Sequence, residues 1–161
     1  MGGGGGGARS IGDVQALIER AKRELRGGEG EVRRNVFISF DYEDVAEVNL
    51  LRAHAKNEKS PIEFNDWSVS EPIDSERAQY IKQKISERIN QSSVTVVYLS
   101  DKTADSRWVA WEIEESLRLG KHVIGVYKGD EVPSSLPRPF LQGGLKTVGW
   151  SQLADTVAGL G

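Results

Sequence analysis

Apolar residues along the chain alternate between short β-rich runs and helical repeats. Four runs, NVFISF (35–40), PIEF (61–64), SVTVVYLS (93–100) and KHVIGVYKG (121–129), predict strands, and LKTVGW (145–150) predicts a short last strand. Between them, apolar residues recur every three or four positions, as in SERAQYIKQKISERINQ (75–91), and predict helices. Strands that alternate with helices predict βαβ units and a parallel sheet covered on both faces.

Each predicted helix carries one apolar face. The faces consist of Val45, Val48, Leu51 and Ala55 in one helix, Ala78, Ile81, Ile85 and Ile89 in the next, and Val109, Ile113 and Leu117 in the third. Asp44 followed by Glu47 has the spacing of a capping box, which alone explains both acids, and Ser106 has the position of an N-cap. SQLADTVAGLG (151–161) predicts a last helix.

The stretch before residue 33 differs from the rest of the chain. Residues 1–9 form a glycine-rich tail, expected to be disordered. Residues 10–32 predict an extra helix and a linker, with a helix start at Ser10 and Asp13. The α/β pattern occupies residues 33–161, which predicts one main domain.

Composition narrows the classes of function. The chain has 161 residues, a net charge of −3 and no cysteine. The absence of cysteine excludes disulfides and fits a cytoplasmic location. The charge gives no argument for a nucleic-acid or membrane partner, and no apolar run approaches the ~20 residues of a membrane span.

Ligands of parallel α/β sheets bind beyond the carboxyl ends of the strands, so the loops at those ends hold the candidate site. Asp41 and Tyr42 follow the first strand, and Asp66 and Trp67 lie in a long loop after the second. Trp67 either fills the edge of the core or lies on a flap over the site. Glu112 lies near a helix N-terminus, where the helix dipole favours a carboxylate. Taken by itself, it is best interpreted as a solvated helix glutamate.

The sequence lacks the motifs of several enzyme classes. It contains no P-loop, no glycine-rich dinucleotide fingerprint and no G-x-S-x-G elbow, and neither histidine has a second ligand at metal-binding spacing. One competing α/β class is a phosphoacceptor receiver domain, because Asp41, Asp101 and Lys128 follow predicted strands. Their spacings are loose, so this interpretation ranks second.

Three stretches together resemble a TIR domain. NVFISFDYED has Phe37, Ser39 and Phe40 in the F-x-S-[YF] positions of the family's first strand. FND (64–66) is similar to the F-x-D that opens the family's BB loop. SRWVAWEI (106–113) matches the S-x-W-[CV]-x-x-E box. Within this family the chain is most similar to the bacterial TIR-like proteins of Thoeris antiphage defence. The resemblance covers about residues 33–130. It implies a flavodoxin-like three-layer αβα sandwich with a central parallel sheet, to which the N-terminal helix is an addition.

The resemblance also implies an activity. Glu112 would be the catalytic residue of a reaction that consumes NAD⁺ as substrate, with no cofactor and no metal. Loss of neutral nicotinamide leaves positive charge on the ribose, which a fixed carboxylate stabilises. Where water is excluded, the same molecule supplies the nucleophile and the product is a cyclic ADP-ribose isomer. The expected nucleotide-binding residues are Phe40, Asp41, Tyr42, Asp66, Trp67, Ser106, Arg107 and Trp108.

The partners implied are of three kinds. The resemblance implies self-association through TIR contacts, often by the BB loop, which here lacks the family's usual glycine. It further implies a downstream effector reached by a diffusible nucleotide, and a phage-derived trigger. A different interpretation is a non-catalytic TIR adaptor that acts only by assembly. Glu112 argues against it, because adaptors commonly lack that residue.

Overall fold

The computed structural model describes residues 34–57, 62–65 and 72–160. The glycine-rich tail, the predicted helix of residues 10–32, and both Asp66 and Trp67 lie outside the described residues. The domain boundaries given above therefore stay predictions.

A single parallel sheet forms the centre of the described region. Its strands are β1 (Arg34–Ser39), β2 (Ile62–Asn65), β3 (Val94–Tyr98), β4 (His122–Tyr127) and β5 (Lys146–Gly149). They lie side by side in the order β2-β1-β3-β4-β5, and every neighbouring pair is parallel. This is the strand order of flavodoxin-like doubly wound sheets, so the predicted fold class is confirmed.

Four of the described helices correspond to predicted ones: α1 (Val45–Asn57), α2 (Ala78–Gln91), α3 (Arg107–Arg118) and α5 (Leu153–Ala158). A fifth helix, α4 (Arg138–Gln142), lies between the predicted strands of residues 121–129 and 145–150, where the sequence indicated no helix. Pro139 fits in its first turn, because the first amides of a helix have no intrahelical partner. No helix in the described part of the chain is both long and apolar enough to cross a bilayer.

Helices cover both faces of the sheet. α1 and α5 pack on one face, where Val48 and Leu153 join the alternate strand residues Val36, Ile38, Val94, Val96, Ile124 and Val126. α2, α3 and α4 cover the other face, through Ile85, Ile113 and Phe140. The two-residue period of a strand explains why neighbours such as Val36 and Phe37 belong to opposite layers.

The buried face of α3 differs from the predicted stripe. Val109 and Ile113 are buried as predicted, but Leu117 is 45% exposed, so its assignment to the stripe was wrong. Leu117 lies eight residues after Val109, and at about 100° per residue it points about 80° away from Val109 around the helix axis. This rotation carries Leu117 away from the sheet. Glu112 and Ser116 are buried instead. Two polar side chains therefore lie on the face of α3 that meets the sheet.

Candidate functional site

β1 and β3 are neighbours at the switch point of the sheet, which is the point where the strand order reverses. The chain passes from β1 to β2 on one side of this point and from β3 to β4 on the other. The crevice at the carboxyl ends of such strands is where doubly wound proteins bind ligands. The loop that leaves β1 and the loop that leads from β3 into α3 both start at this edge of the sheet. The candidate site is therefore expected at this edge.

Glu112 and Ser39 form a buried pair at this edge. Ser39 Oγ donates a hydrogen bond to Glu112 Oε1 at 2.5 Å, although 73 positions separate the two residues. Ser39 is 1% exposed and Glu112 is 4% exposed. The interpretation of Glu112 as a solvated glutamate was therefore wrong. A hydrogen bond from a hydroxyl to a buried carboxyl group offsets part of the cost of burying that group.

Two further hydroxyls hold the backbone of α3 at Glu112. Ser116 Oγ donates to the Glu112 carbonyl oxygen at 2.7 Å, and Thr95 Oγ1 of β3 lies 2.7 Å from the same hydroxyl. Both hydroxyls are fully buried. Neither these two hydroxyls nor the contact of Ser39 was predicted from the sequence. The available signal was a polar residue at an inward-facing position, as Ser39 is in an otherwise apolar strand.

The start of α3 is fixed by a cap and by aromatic packing. Ser106 Oγ accepts a hydrogen bond from the Val109 amide at 3.3 Å, so the predicted N-cap is confirmed. Trp108 and Trp111 meet edge to face with ring centroids 6.1 Å apart, and both pack against the apolar face of α2. The first two turns of α3 are thus held in place beside Glu112.

Asp44 belongs to a second buried network at the same edge. Its carboxylate accepts a hydrogen bond from Ser100 Oγ at 2.5 Å and lies 3.9 Å from Lys102 Nζ. Burial raises the pKa of the Asp44 carboxyl, although Ser100 and Lys102 each lower it in part. The capping box predicted at Asp44 was wrong, because Asp44 ends a short 3-10 turn that is capped by Asp41. Asp44 instead joins the loop after β1 to the loop after β3.

The other predicted site residues have different surroundings. Phe40 packs into the core on the α1 and α5 face, with the Arg52 guanidinium carbon 5.9 Å from its ring centre. Asp41 accepts a hydrogen bond from the Glu43 amide, and Tyr42 is exposed. Arg107 lies on the surface, 3.8 Å from the Asp74 carboxylate.

A second serine–glutamate pair ties α2 to α3, away from the strand ends. Ser86 Oγ donates to Glu115 Oε2 at 2.5 Å, and Arg118 binds the same carboxylate through two nitrogens at 2.9 and 2.5 Å. The Arg118 guanidinium lowers the pKa of Glu115, and the Ser86 hydrogen bond adds to this effect. This pair has an evident structural role, because it joins two helices.

The three residues considered for a receiver site each have a different neighbour. Asp101 lies 3.8 Å from Lys102, Lys128 Nζ lies 6.0 Å from the ring centre of Trp150, and Asp41 accepts a hydrogen bond from the Glu43 amide. Among the described residues, no three acidic or histidine side chains are grouped so that they could hold a metal ion.

The strand order and the buried carboxylate define a doubly wound α/β domain with its candidate site at the switch point. Residues 37–132 match the family model described as Thoeris protein ThsB, TIR-like domain. The match spans well over half of the chain, and the chain belongs to this family.

Two curated relatives share the name "Putative cyclic ADP-D-ribose synthase". ThsB1 of Bacillus cereus is 32% identical over an alignment of 117 residues, and the match covers 66% of this chain and 61% of the relative. TIR2 of Cytobacillus dafuensis is 32% identical over 99 residues, which are 60% of this chain and 26% of the relative. The chain therefore spans less than two thirds of each relative. A solved structure of the TIR domains of the activated Roq1 resistosome, which recognises the pathogen effector XopQ, matches with a TM-score of 0.43 and 22% identity, over 61% of this chain and 59% of that one.

Proposed function

We propose that this protein cleaves the nicotinamide–ribose bond of NAD⁺ and releases an ADP-ribose product of the cyclic type, with Glu112 as the catalytic carboxylate. The observation that carries the proposal is the Glu112 side chain, buried at the switch point and fixed by Ser39. Membership of the Thoeris family supports it. The class of product is proposed by analogy with two relatives that are named as cyclic ADP-D-ribose synthases.

The chemistry requires a negative charge at a fixed place. When nicotinamide leaves with the electron pair of its bond to the ribose, the anomeric carbon becomes positively charged. A carboxylate that is already oriented stabilises this charge as it develops, and it does so most strongly where water is excluded. An atom of the same ADP-ribose then forms the new bond and loses its proton, which closes a ring.

The binding residues and partners are part of the same proposal. The residues proposed to contact the nucleotide beside Glu112 are Phe40, Asp41, Tyr42, Asp66, Trp67, Ser106, Arg107 and Trp108. Because Glu112 is almost fully buried, we expect low turnover by the dilute protein and higher turnover when copies assemble. A phage-derived trigger and a separate effector that binds the product complete the proposed system, which would act in the bacterial cytoplasm.

The test compares Glu112→Gln with Glu114→Gln. Glu114 lies on the same helix but is exposed, so its substitution changes the charge of α3 equally without touching the buried pair. Glu112→Gln should lower NAD⁺ turnover by about 100-fold or more, as expected when a preorganised charge is removed from a site. Glu114→Gln should retain the wild-type rate. Mass spectrometry of the product distinguishes ADP-ribose from a cyclic isomer, which is lighter by one water.

If the wild type turns over no NAD⁺ at high protein concentration and with a phage lysate, the proposal is wrong. A non-catalytic adaptor would then be the better interpretation.

A further inference from the structure

We propose that Ser39 is a positioning residue for this reaction: its hydroxyl holds the Glu112 carboxylate in the orientation that the substrate ribose requires. The inference rests on the proposed function of Glu112. It concerns a residue to which neither the motif nor the family match assigns a task.

The contact is built from two different elements. Ser39 ends β1, an interior strand of the sheet, whereas Glu112 lies in the second turn of α3. The 2.5 Å hydrogen bond therefore fixes a helix side chain against the sheet. Serine has a single side-chain torsion, and at 1% exposure the Ser39 side chain has almost no room to move. The longer glutamate side chain has three torsions, and this contact restrains its outer end.

The Ser39 hydroxyl has two effects, because it satisfies part of a buried carboxylate and also orients it. The three residues before it in β1, Val36 to Ile38, are buried and apolar, so the strand itself requires no polar group here. The backbone of α3 at Glu112 is already held by Ser116 and Thr95, through the Glu112 carbonyl oxygen. What the Ser39 hydroxyl adds is the orientation of the carboxylate itself.

Orientation has a large effect on rate. A displacement of about 1 Å in a catalytic group costs roughly 100-fold, because the reacting atoms leave the near-attack geometry. Without its Ser39 donor, the Glu112 carboxylate should rotate toward other partners. The maximal rate should then fall more than substrate binding does, since the substrate contacts on other residues are unchanged.

The second serine–glutamate pair provides a matched control. Ser86 donates to Glu115 over the same 2.5 Å distance, and that carboxylate is also largely buried. The Ser86–Glu115 pair joins α2 to α3 and lies outside the proposed site. Ser86→Ala therefore removes the same type of hydrogen bond from a less buried serine, whose glutamate keeps its Arg118 partner. It should leave turnover unchanged, and the correction for the folded fraction removes any difference in stability between the variants.

The experiment measures kcat and KM for NAD⁺ in wild type, Ser39→Ala, Ser39→Thr and Ser86→Ala, each corrected for its folded fraction from urea unfolding. We expect Ser39→Ala to lower kcat by about 10- to 100-fold and to change KM by less than ~3-fold. Ser39→Thr keeps the hydroxyl on a side chain suited to a strand and should recover part of kcat. Ser86→Ala should have the kcat of the wild type.

Two results would overturn the positioning role. One is a corrected kcat of Ser39→Ala equal to that of Ser86→Ala; the other is a Ser39→Thr protein that is as stable as the wild type and yet no more active than Ser39→Ala. If the wild type is active and Glu112→Gln is not, either result removes the role of Ser39 and leaves the proposed function intact. If Glu112→Gln is as active as the wild type, the proposed function fails and the role of Ser39 fails with it.

Discussion

Gly125 in β4 lies under two buried side chains, and this close packing predicts the effect of adding a single methyl group. A Cβ atom at Gly125 would lie 2.6 Å from Leu99 Cδ1 and 2.8 Å from Phe140 Cε1. Ordinary carbon contacts are about 3.5–4.0 Å long, so both neighbours would have to move by close to 1 Å. Both belong to the apolar cluster beneath α3 and α4, where there is little space to move.

The expected cost follows from these contacts. Overpacking a core by one methyl group typically costs about 1–3 kcal/mol, and replacing glycine returns about 0.4–1 kcal/mol by restricting the unfolded chain. Gly125→Ala should therefore lower the free energy of unfolding by roughly 0.5–2 kcal/mol. With an m-value of about 2 kcal/mol/M, a loss of 1 kcal/mol lowers the urea midpoint by about 0.5 M.

Gly149→Ala is the matched control for this measurement. Gly149 ends β5 with a φ of −74°, and the nearest atoms to an added Cβ are 3.9 Å away. This variant should be as stable as the wild type or slightly more stable. In a double-mutant cycle, Gly125→Ala should cost less in a Phe140→Leu background, because the ring edge is gone. If Gly125→Ala unfolds at the wild-type midpoint, the packing of Leu99 and Phe140 over β4 is not as described.

Two further predictions concern α3 and the buried acids. Ile113→Ala should lower the free energy of unfolding in urea by about 2–5 kcal/mol, whereas Leu117→Ala should lower it by less than about 0.5 kcal/mol. Equal losses would indicate that Leu117 is part of the buried face of α3 after all. The buried acids should show opposite pH dependences in urea unfolding measured between pH 7 and pH 3. Because burial raises the pKa of Asp44 above its ordinary 3.8, the wild type should gain stability relative to Asp44→Asn as the pH falls through the raised pKa. Because Arg118 lowers the pKa of Glu115 below its ordinary 4.5, the advantage of the wild type over Glu115→Gln should be complete above pH 4.5 and disappear as the pH falls through the lowered pKa. Stability differences that do not change with pH would contradict both assignments.

The sheet was predictable because its strands are buried on both sides. A strand such as SVTVVYLS is almost continuously apolar, and this alone indicates a central parallel strand. The short helix α4 was not predictable in the same way. It has five residues, follows Pro137 and contains Pro139, so its composition indicates a loop, and packing of Phe140 against the sheet stabilises the helix.

The candidate site was predictable only in part. The motif around Ser106 identifies Glu112, and the helix cap follows from local spacing. The hydrogen bond between Ser39 and Glu112 joins residues 73 positions apart, and no local pattern encodes such a pair. The partner of Asp44 could not be predicted for the same reason. The spacing of Asp44 to Glu47 favours a helix cap, whereas its observed partner Ser100 lies in the loop after another strand.

The role of Glu112 is tested most directly by the release of nicotinamide from NAD⁺ at high protein concentration, measured for the wild type beside Glu112→Gln and Glu114→Gln. We expect release by the wild type and by Glu114→Gln, and a loss of about 100-fold or more in Glu112→Gln. Equal release by all three folded proteins would contradict this role, because the buried carboxylate at the switch point would then have no part in the reaction.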